Sequence, residues 1–257
     1  MNKKALHLGS KKHDIQADLE QWFQCGLGRS LLASQRVVIE KAIRRNFGFH
    51  QAEIGVSHRI PVGNPSNLGH KFYVLPRWEP DLPDNSIIST SSEIGLEHDS
   101  TDLVILHHAL DFSSDPHQTL REASRILKPS GHLVIIGFNP LSSWGLRKIL
   151  TRSRGAPWAC RFLSGNRVED WLNLLDFKVK AARYHFYTLP FNRARVVNQS
   201  SALDNILNPK VPLGAYYVLS AQKQVGARIR TAPKWSKKRK VVGLPLANRV
   251  EAKKCNL

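Results

Sequence analysis

The residues best equipped for chemistry sit at the end of one strongly apolar run. Asp102 to His107 (DLVILH) is followed by His108 and, three residues on, by Asp111. Two histidines and a carboxylate so close together suggest either a metal site or acid–base work. Adjacent histidines on an extended segment point to opposite sides, so one ion does not easily take both. No Cys/His cluster elsewhere joins them, and no metal is expected. Ligands of open α/β sheets bind at the carboxyl ends of strands. His107 or His108 lining a cleft is therefore one reading, and ordinary loop histidines the other. Asp111 and His108 are candidate bases, with a capping or solvated role as the alternative, so no catalytic residue is assigned. A second constellation, Glu53-Ile54-Gly55-Val56-Ser57-His58-Arg59, places an acid and a glycine where an earlier strand ends.

Around these residues the pattern is one of alternating elements. Asp14 to Phe47 reads as helical, broken at Gly26-Leu27-Gly28, with Leu31, Leu32, Val38, Ile39, Ala42 and Ile43 on one stripe of the second helix. Phe49 to Val56 is a strand made polar by Gln51 and Glu53. Ser57 to Gly69 reads as loop, and Lys71 to Leu75 as a short strand closed by Pro76. Ile87 and Ile88 form a brief strand-like pair. Asp102 to His107 is a buried parallel strand. Asp115 is an N-cap, Pro116 stands at the first helical position, and Gln118 has capping-box spacing. Lys128-Pro129-Ser130-Gly131 stops that helix, and His132 to Phe138 is a second buried strand. This strand–helix–strand unit implies adjacent parallel strands. An irregular basic stretch follows, then a helix at Arg167 to Leu175 and strands at Phe177 to Thr188 and Ala215 to Gln222. Trp22, Trp144, Trp158 and Trp171 stand among apolar neighbours and read as packing residues.

Leu96 to Pro140 resembles the second half of a class I S-adenosylmethionine-dependent methyltransferase domain, of the methyltransferase type 11 group. Thr101-Asp102 opens strand four as in that family, and His107-His108-Ala109-Leu110 is the loop expected to face the cofactor. Arg125-Ile-Leu-Lys-Pro-Ser-Gly131 matches the motif R-x-L-K-P-x-G. Trp144-Gly145-Leu146, the run Asp170 to Phe177 and the amino-terminal QWFQCGLGRSLL are similar to a bacterial branch of the family. The resemblance covers roughly residues 15 to 222. It implies a Rossmann-like doubly wound α/β sheet, S-adenosyl-L-methionine as cofactor, and methyl transfer to an unidentified acceptor. The alternative is a catalytically inactive binding or regulatory protein on that scaffold.

The cofactor-binding residues that the resemblance implies are Glu53, Gly55, Ser57, Thr90, Ser91, His107 and Leu110. The first motif departs from the family pattern, with Ser57 and Arg59 where its second and third glycines belong. An Arg59 side chain pointing inward would repel the cofactor's sulfonium. Strand two runs into Pro76 rather than the acid that binds the ribose hydroxyls, and Thr90 takes the place of the adenine-binding Asp.

The chain has 257 residues, 42% hydrophobic and 8% aromatic, enough for a real core. Its parts are expected to be a helical extension (1–47), the methyltransferase-like domain (48–222) and a basic tail (223–257) expected to be disordered. From Lys223 to Leu257 eleven Lys or Arg face one acid, a net of +10, so the formal +18 leaves only +8 for the rest. The run Lys234 to Lys240, with Trp235, could make weak nucleic-acid contacts or be a solvated extension. No apolar run approaches the roughly 20 residues of a membrane span. The basic start, Met1 to Gln16, lacks the apolar core of a secretory signal. Cys25, Cys160 and Cys255 are too scattered for a disulfide framework, which fits a cytoplasmic location.

Overall fold

The structure, a computed structural model, describes residues 15–151, 155–190 and 211–225. The chain divides into a compact unit, Met1–Gly226, and a second, Ala227–Leu257. The basic tail beyond 225 and its expected nucleic-acid contact lie outside the described residues. In chain order the elements are the described part of a helix α1 (15–23), α2 (Gly26–Ile43), β1 (His50–Ile54), β2 (His70–Leu75), β3 (Ser86–Ile88) and β4 (Thr101–His107). Then come α3 (Ala109–Phe112), α4 (Pro116–Ile126), β5 (Leu127–Phe138), α5 (Ser143–Thr151), α6 (Gly165–Leu174), β6 (Phe177–His185) and β7 (Tyr216–Lys223).

The described strands form one sheet in the order β3-β2-β1-β4-β5-β7-β6. Strands β1 to β5 are parallel, and β7 runs antiparallel between β5 and β6. The expected Rossmann-like doubly wound sheet is present. Its centre is buried on both faces, as the unbroken apolar run of β4 requires. Leu103 and Ile105 pack into the core beneath α1 and α2, while Val104 and Leu106 alternate into the core shared with α4 and α6. Burying each such side chain contributes about 1.5–3 kcal/mol.

The parallel β4–β5 pair is joined through α3 and α4, and Asp115 caps α4 by accepting from the Gln118 N–H at 3.0 Å. The family-like motif residues that follow hold the architecture. Arg125 donates to the carbonyls of Ile94 (2.6 Å) and Leu96 (2.7 Å) and pairs with Glu122, tying the β3–β4 connection to α4. Lys128 reaches Asp102 at 3.0 Å, and the same carboxylate accepts the N–H groups of Phe49 and His50 at the start of β1. Partial burial works against that charge, but the two N–H groups and Lys128 outweigh it and hold the Asp102 carboxyl below its usual range. The segment 128–131, expected to stop α4, follows its last residue and is already part of β5. Leu127 pairs with Thr101 and His132 with Leu103, so the extra residues loop out as a bulge with Ser130 left-handed at φ 66°.

Three details correct the sequence expectations. The helical break falls at residues 24–25, and Gly26 to Gly28 form the first turn of α2, capped by Cys25 through its sulfur. Gly28 is there because a Cβ would collide with the Trp22 carbonyl of α1. The stretch after Pro140, expected to be irregular, contains α5, where a Cβ on Gly145 would collide with the Pro140 carbonyl. Lys223, placed in the tail, instead ends β7, its ammonium donating to Asp99 and to the carbonyls of Ser124 and Leu127.

The connections from β1 to β2, β2 to β3 and β3 to β4 contain no helix. Cover for that face comes instead from α1 and α2, whose Leu19, Phe23, Leu31, Ile39 and Ile43 are fully or almost fully buried. Their apolar stripes are part of the domain core. Replacing Gly28 by Ala should therefore cost roughly 1–3 kcal/mol through forced separation of α1 and α2. Urea denaturation of the two proteins measures this, and an unchanged midpoint would show that the helix pair can yield.

Candidate functional site

At the carboxyl ends of β1 and β2, where the strand order reverses between β1 and β4, the surface opens into a cleft of about 270 Å³. This is the position where open α/β sheets take their ligands. Gly55 and Ile54 form its floor. Pro76 and Arg77 follow β2, Ser89 to Ser92 follow β3, and Phe112 to Ser114 close the β4 side. Gln16 of α1 reaches over the edge and donates to the carbonyls of Gly55 (3.2 Å) and Val56 (2.8 Å), fixing the exit of β1.

Of the residues expected to bind a cofactor, Gly55, Thr90 and Ser91 line this cleft together. Glu53 points to the opposite side of β1. Its carboxylate accepts the N–H groups of Val62 (2.9 Å) and Gly63 (3.0 Å), while Gln51 donates to the Gly63 carbonyl at 3.1 Å and accepts from Ser66. The two polar residues of β1 thus fold the long loop that replaces a crossover helix. Gly63 is the residue that the sequence reading missed. A Cβ there would meet Gln51 Nε2, Glu53 Oε2 and Ile105 Cδ1, so these side chains would have to shift. Burial raises the Glu53 pKa to about 7, partly offset by the Val62 and Gly63 N–H groups and by Arg36.

Ser57 and Arg59 also turn away from the cleft. Ser57 donates to Glu20 at 2.9 Å and accepts the Arg59 N–H at 3.1 Å. The Arg59 guanidinium lies among Glu20 (3.1 Å), Glu79 (2.7 Å) and Asp81 (2.7 Å), facing outward. The repulsion expected of an inward arginine is therefore absent. These pairs are exposed and individually weak, but together they join α1, the β1 exit and the β2–β3 connection. Among the described residues one group, His58, Glu79 and Asp81, has ligand atoms close enough together for a metal. Arg59 already occupies the two carboxylates.

His107 and His108 lie in the protein interior and do not reach the cleft lining. Gln35 of α2 bridges them. Its carbonyl oxygen is 3.0 Å from His107 Nε2 and its amide nitrogen 2.8 Å from His108 Nε2. His108 Nδ1 is 2.7 Å from Asp111, which also accepts the Phe138 N–H at 3.0 Å. With Gln35 donating to His108 Nε2, the His108 proton sits on Nδ1 and is donated to Asp111. Burial lowers the His108 pKa to about 3 and drives His107 well below its ordinary value, so both are neutral. The Asp111 carboxyl is raised by burial against the Phe138 hydrogen bond. This network holds His108 in a left-handed conformation (φ 55°) that ends β4 and starts α3. His107 acts only at second hand, packed behind Gly55, where a Cβ would lie 3.3 Å from its own. Leu110 is fully buried in the core beneath α4.

A methyltransferase-domain family model matches residues 75–135, the segment from the end of β2 into β5. Over that segment the chain resembles a methyltransferase domain. Over 128 residues it is 40% identical to the uncharacterized protein YafS of Escherichia coli K12, and it spans about half the length of that curated relative. Among solved structures, a SAM-dependent methyltransferase of Thermotoga maritima, named as a possible histamine N-methyltransferase, aligns with a TM-score of 0.59 at 19% identity. The alignment covers 80% of this chain and 94% of that one. A SAM-dependent methyltransferase from Archaeoglobus fulgidus aligns at 0.50 and 17% identity, over 73% of this chain and 94% of its own. These likenesses establish a class I methyltransferase fold.

A buried carboxyl with a raised pKa stabilises the fold below its unfolded pKa and loses that contribution as pH rises through the folded one. Exchanging Glu53 for Gln should remove this titration. Between pH 4.5 and 7 the wild type should lose on the order of 3 kcal/mol of stability relative to Glu53→Gln, because each pH step between the unfolded and folded pKa is worth about 1.4 kcal/mol. Paired urea titrations across that window measure the difference; a constant offset would mean that Glu53 ionises normally.

Proposed function

We propose that this protein transfers the methyl group of S-adenosyl-L-methionine to an acceptor. The observation that carries the reading is the cleft itself. It lies at the switch point of a methyltransferase-type sheet, and the matched segment 75–135 supplies most of its walls. The residues present fit an adenosyl group. Gly55 keeps the β1 exit free of a side chain, Phe112 and Ile54 offer apolar surface, and Thr90, Ser91 and Ser92 offer hydroxyls. His107 packs behind Gly55, and Glu53 holds the loop that follows it. The outward pairing of Arg59 with three acids removes a positive charge from the path of the sulfonium.

When bound, the cofactor supplies an activated methyl group. The chain's task is then to hold the acceptor in line with it and to exclude water. A proton must be taken only from acceptors that carry one. Asp111 and His108 are poorly placed for that, because both are engaged in the buried network with Gln35 and Phe138.

Calorimetric titration with S-adenosylhomocysteine should give a saturable heat with the wild type. Thr90→Trp, at an exposed position of the cleft rim, should abolish it while the urea midpoint moves by less than about 0.5 kcal/mol in free energy, as surface changes usually do. Absence of binding at millimolar ligand would overturn the reading.

A further inference from the structure

Six large aliphatic side chains around α5 face solvent. Leu141, Leu146, Ile149, Leu150, Leu189 and Leu213 are each between 52 and 73% exposed. Leu146, Ile149 and Leu150 stand at i, i+3 and i+4 and so share one face of the helix. Other side chains of α5 anchor it. Trp144 is fully buried, and its indole donates to the Thr188 carbonyl at 2.8 Å; Arg147 donates to the Pro190 carbonyl, which brings Leu189 alongside. Asn139 donates to the carbonyls of Pro212 and Gly214 at 2.9 Å and accepts the Leu141 N–H at 3.1 Å, so Leu141 and Leu213 meet at the same corner.

The charge around this face has one sign. No Asp or Glu occurs between Glu122 and Glu169, whereas Arg147, Lys148, Arg152, Arg154 and Arg161 fall within or soon after α5. Arg147 lies over the Trp158 ring at 5.0 Å, and Arg161, which is exposed, is fixed by its backbone N–H on the Asp111 carbonyl at 2.7 Å. Protruding aliphatic groups set among cations suit a surface with an apolar interior and an anionic rim, which is what an anionic phospholipid bilayer offers. A nucleic acid would meet the charges but gain nothing from the leucines and isoleucine. A second copy of the chain would set arginine against arginine. With nine residues α5 is too short to span a bilayer and would lie in its interface.

We propose that α5 is an interfacial anchor, inserting Leu146, Ile149 and Leu150 into an anionic bilayer while the neighbouring arginines meet its headgroups. α5 follows the carboxyl end of β5, and the cleft lies at the same edge of the parallel strands, so attachment sets that edge towards the lipid. The inference concerns a surface and does not depend on what the cleft binds.

The test is cosedimentation of the full chain with vesicles of phosphatidylcholine, with and without phosphatidylglycerol. The mixed vesicles should retain the wild type, less so as salt rises, and pure phosphatidylcholine should retain it about tenfold more weakly. The basic residues beyond Lys223 attract anionic lipid by charge alone, so the deciding variant keeps every charge. Leu146→Gln, Ile149→Gln and Leu150→Gln combined should weaken partitioning by about tenfold or more, with a urea midpoint close to that of the wild type. Ile149→Gln alone should act in the same direction. Equal retention of the variants and the wild type would mean that charge alone holds the protein, and would overturn the proposal. So would no retention on the mixed vesicles, or equal retention on both kinds. A wild type that is dimeric in solution, beside a monomeric triple variant, would assign the face to a second copy instead.

Discussion

A parallel sheet with its central strands buried must be covered on both faces, and this constraint governs the rest of the molecule. Strands β4 and β5 send alternate side chains into two separate cores. One face receives its cover in the usual way, from the helices that connect and follow those strands. The other has no crossover helix after β1, β2 or β3. Two helices from the start of the chain fill that place, at contact distances so short that Gly28 tolerates no side chain. What the sequence presents as an amino-terminal extension is thus part of the core on that face.

The missing helices also change how the site is built. In a Rossmann-type site the turn after β1 leads into a helix, and the ligand approaches a bare glycine backbone. Here the loop is folded by side chains instead. Glu53 and Gln51 grip it from below at Val62, Gly63 and Ser66, Gln16 holds its first carbonyls, and Arg59 joins its outer side to Glu20, Glu79 and Asp81. Residues that look like losses from a glycine motif, Ser57 and Arg59, are part of this second set of supports.

The buried Gln35–His107–His108–Asp111 network shows how a constellation that looks catalytic can be architectural. Gln35, His108 and one oxygen of Asp111 pair with one another in a dry interior, where an unpaired polar atom costs about 1–3 kcal/mol, while His107 Nδ1 and Asp111 Oδ1 are left without a partner. Desolvation keeps both imidazoles neutral. Their joint effect is to hold the end of β4 and the start of α3, and so to set the wall formed by Phe112 to Ser114.

The β4–α4–β5 unit was legible in the sequence because its signals are local. An apolar run, an Asp-Pro cap and a Lys-Pro-Ser-Gly stop act on their own few residues and need no distant partner. From the same evidence the resemblance to methyltransferases followed, and Gly55, Thr90 and Ser91, named from that resemblance, line one cleft. The directions of Glu53, Arg59 and the two histidines were decided only by the tertiary structure. Arg59 finds its acids 20, 22 and 39 residues away, and Gln35 lies 72 and 73 residues from the histidines it bridges. A side chain's type fixes which bonds it can make, but which partner it meets depends on how separate strands and helices are packed together. That packing turned a supposed obstacle in the cleft into a clasp outside it.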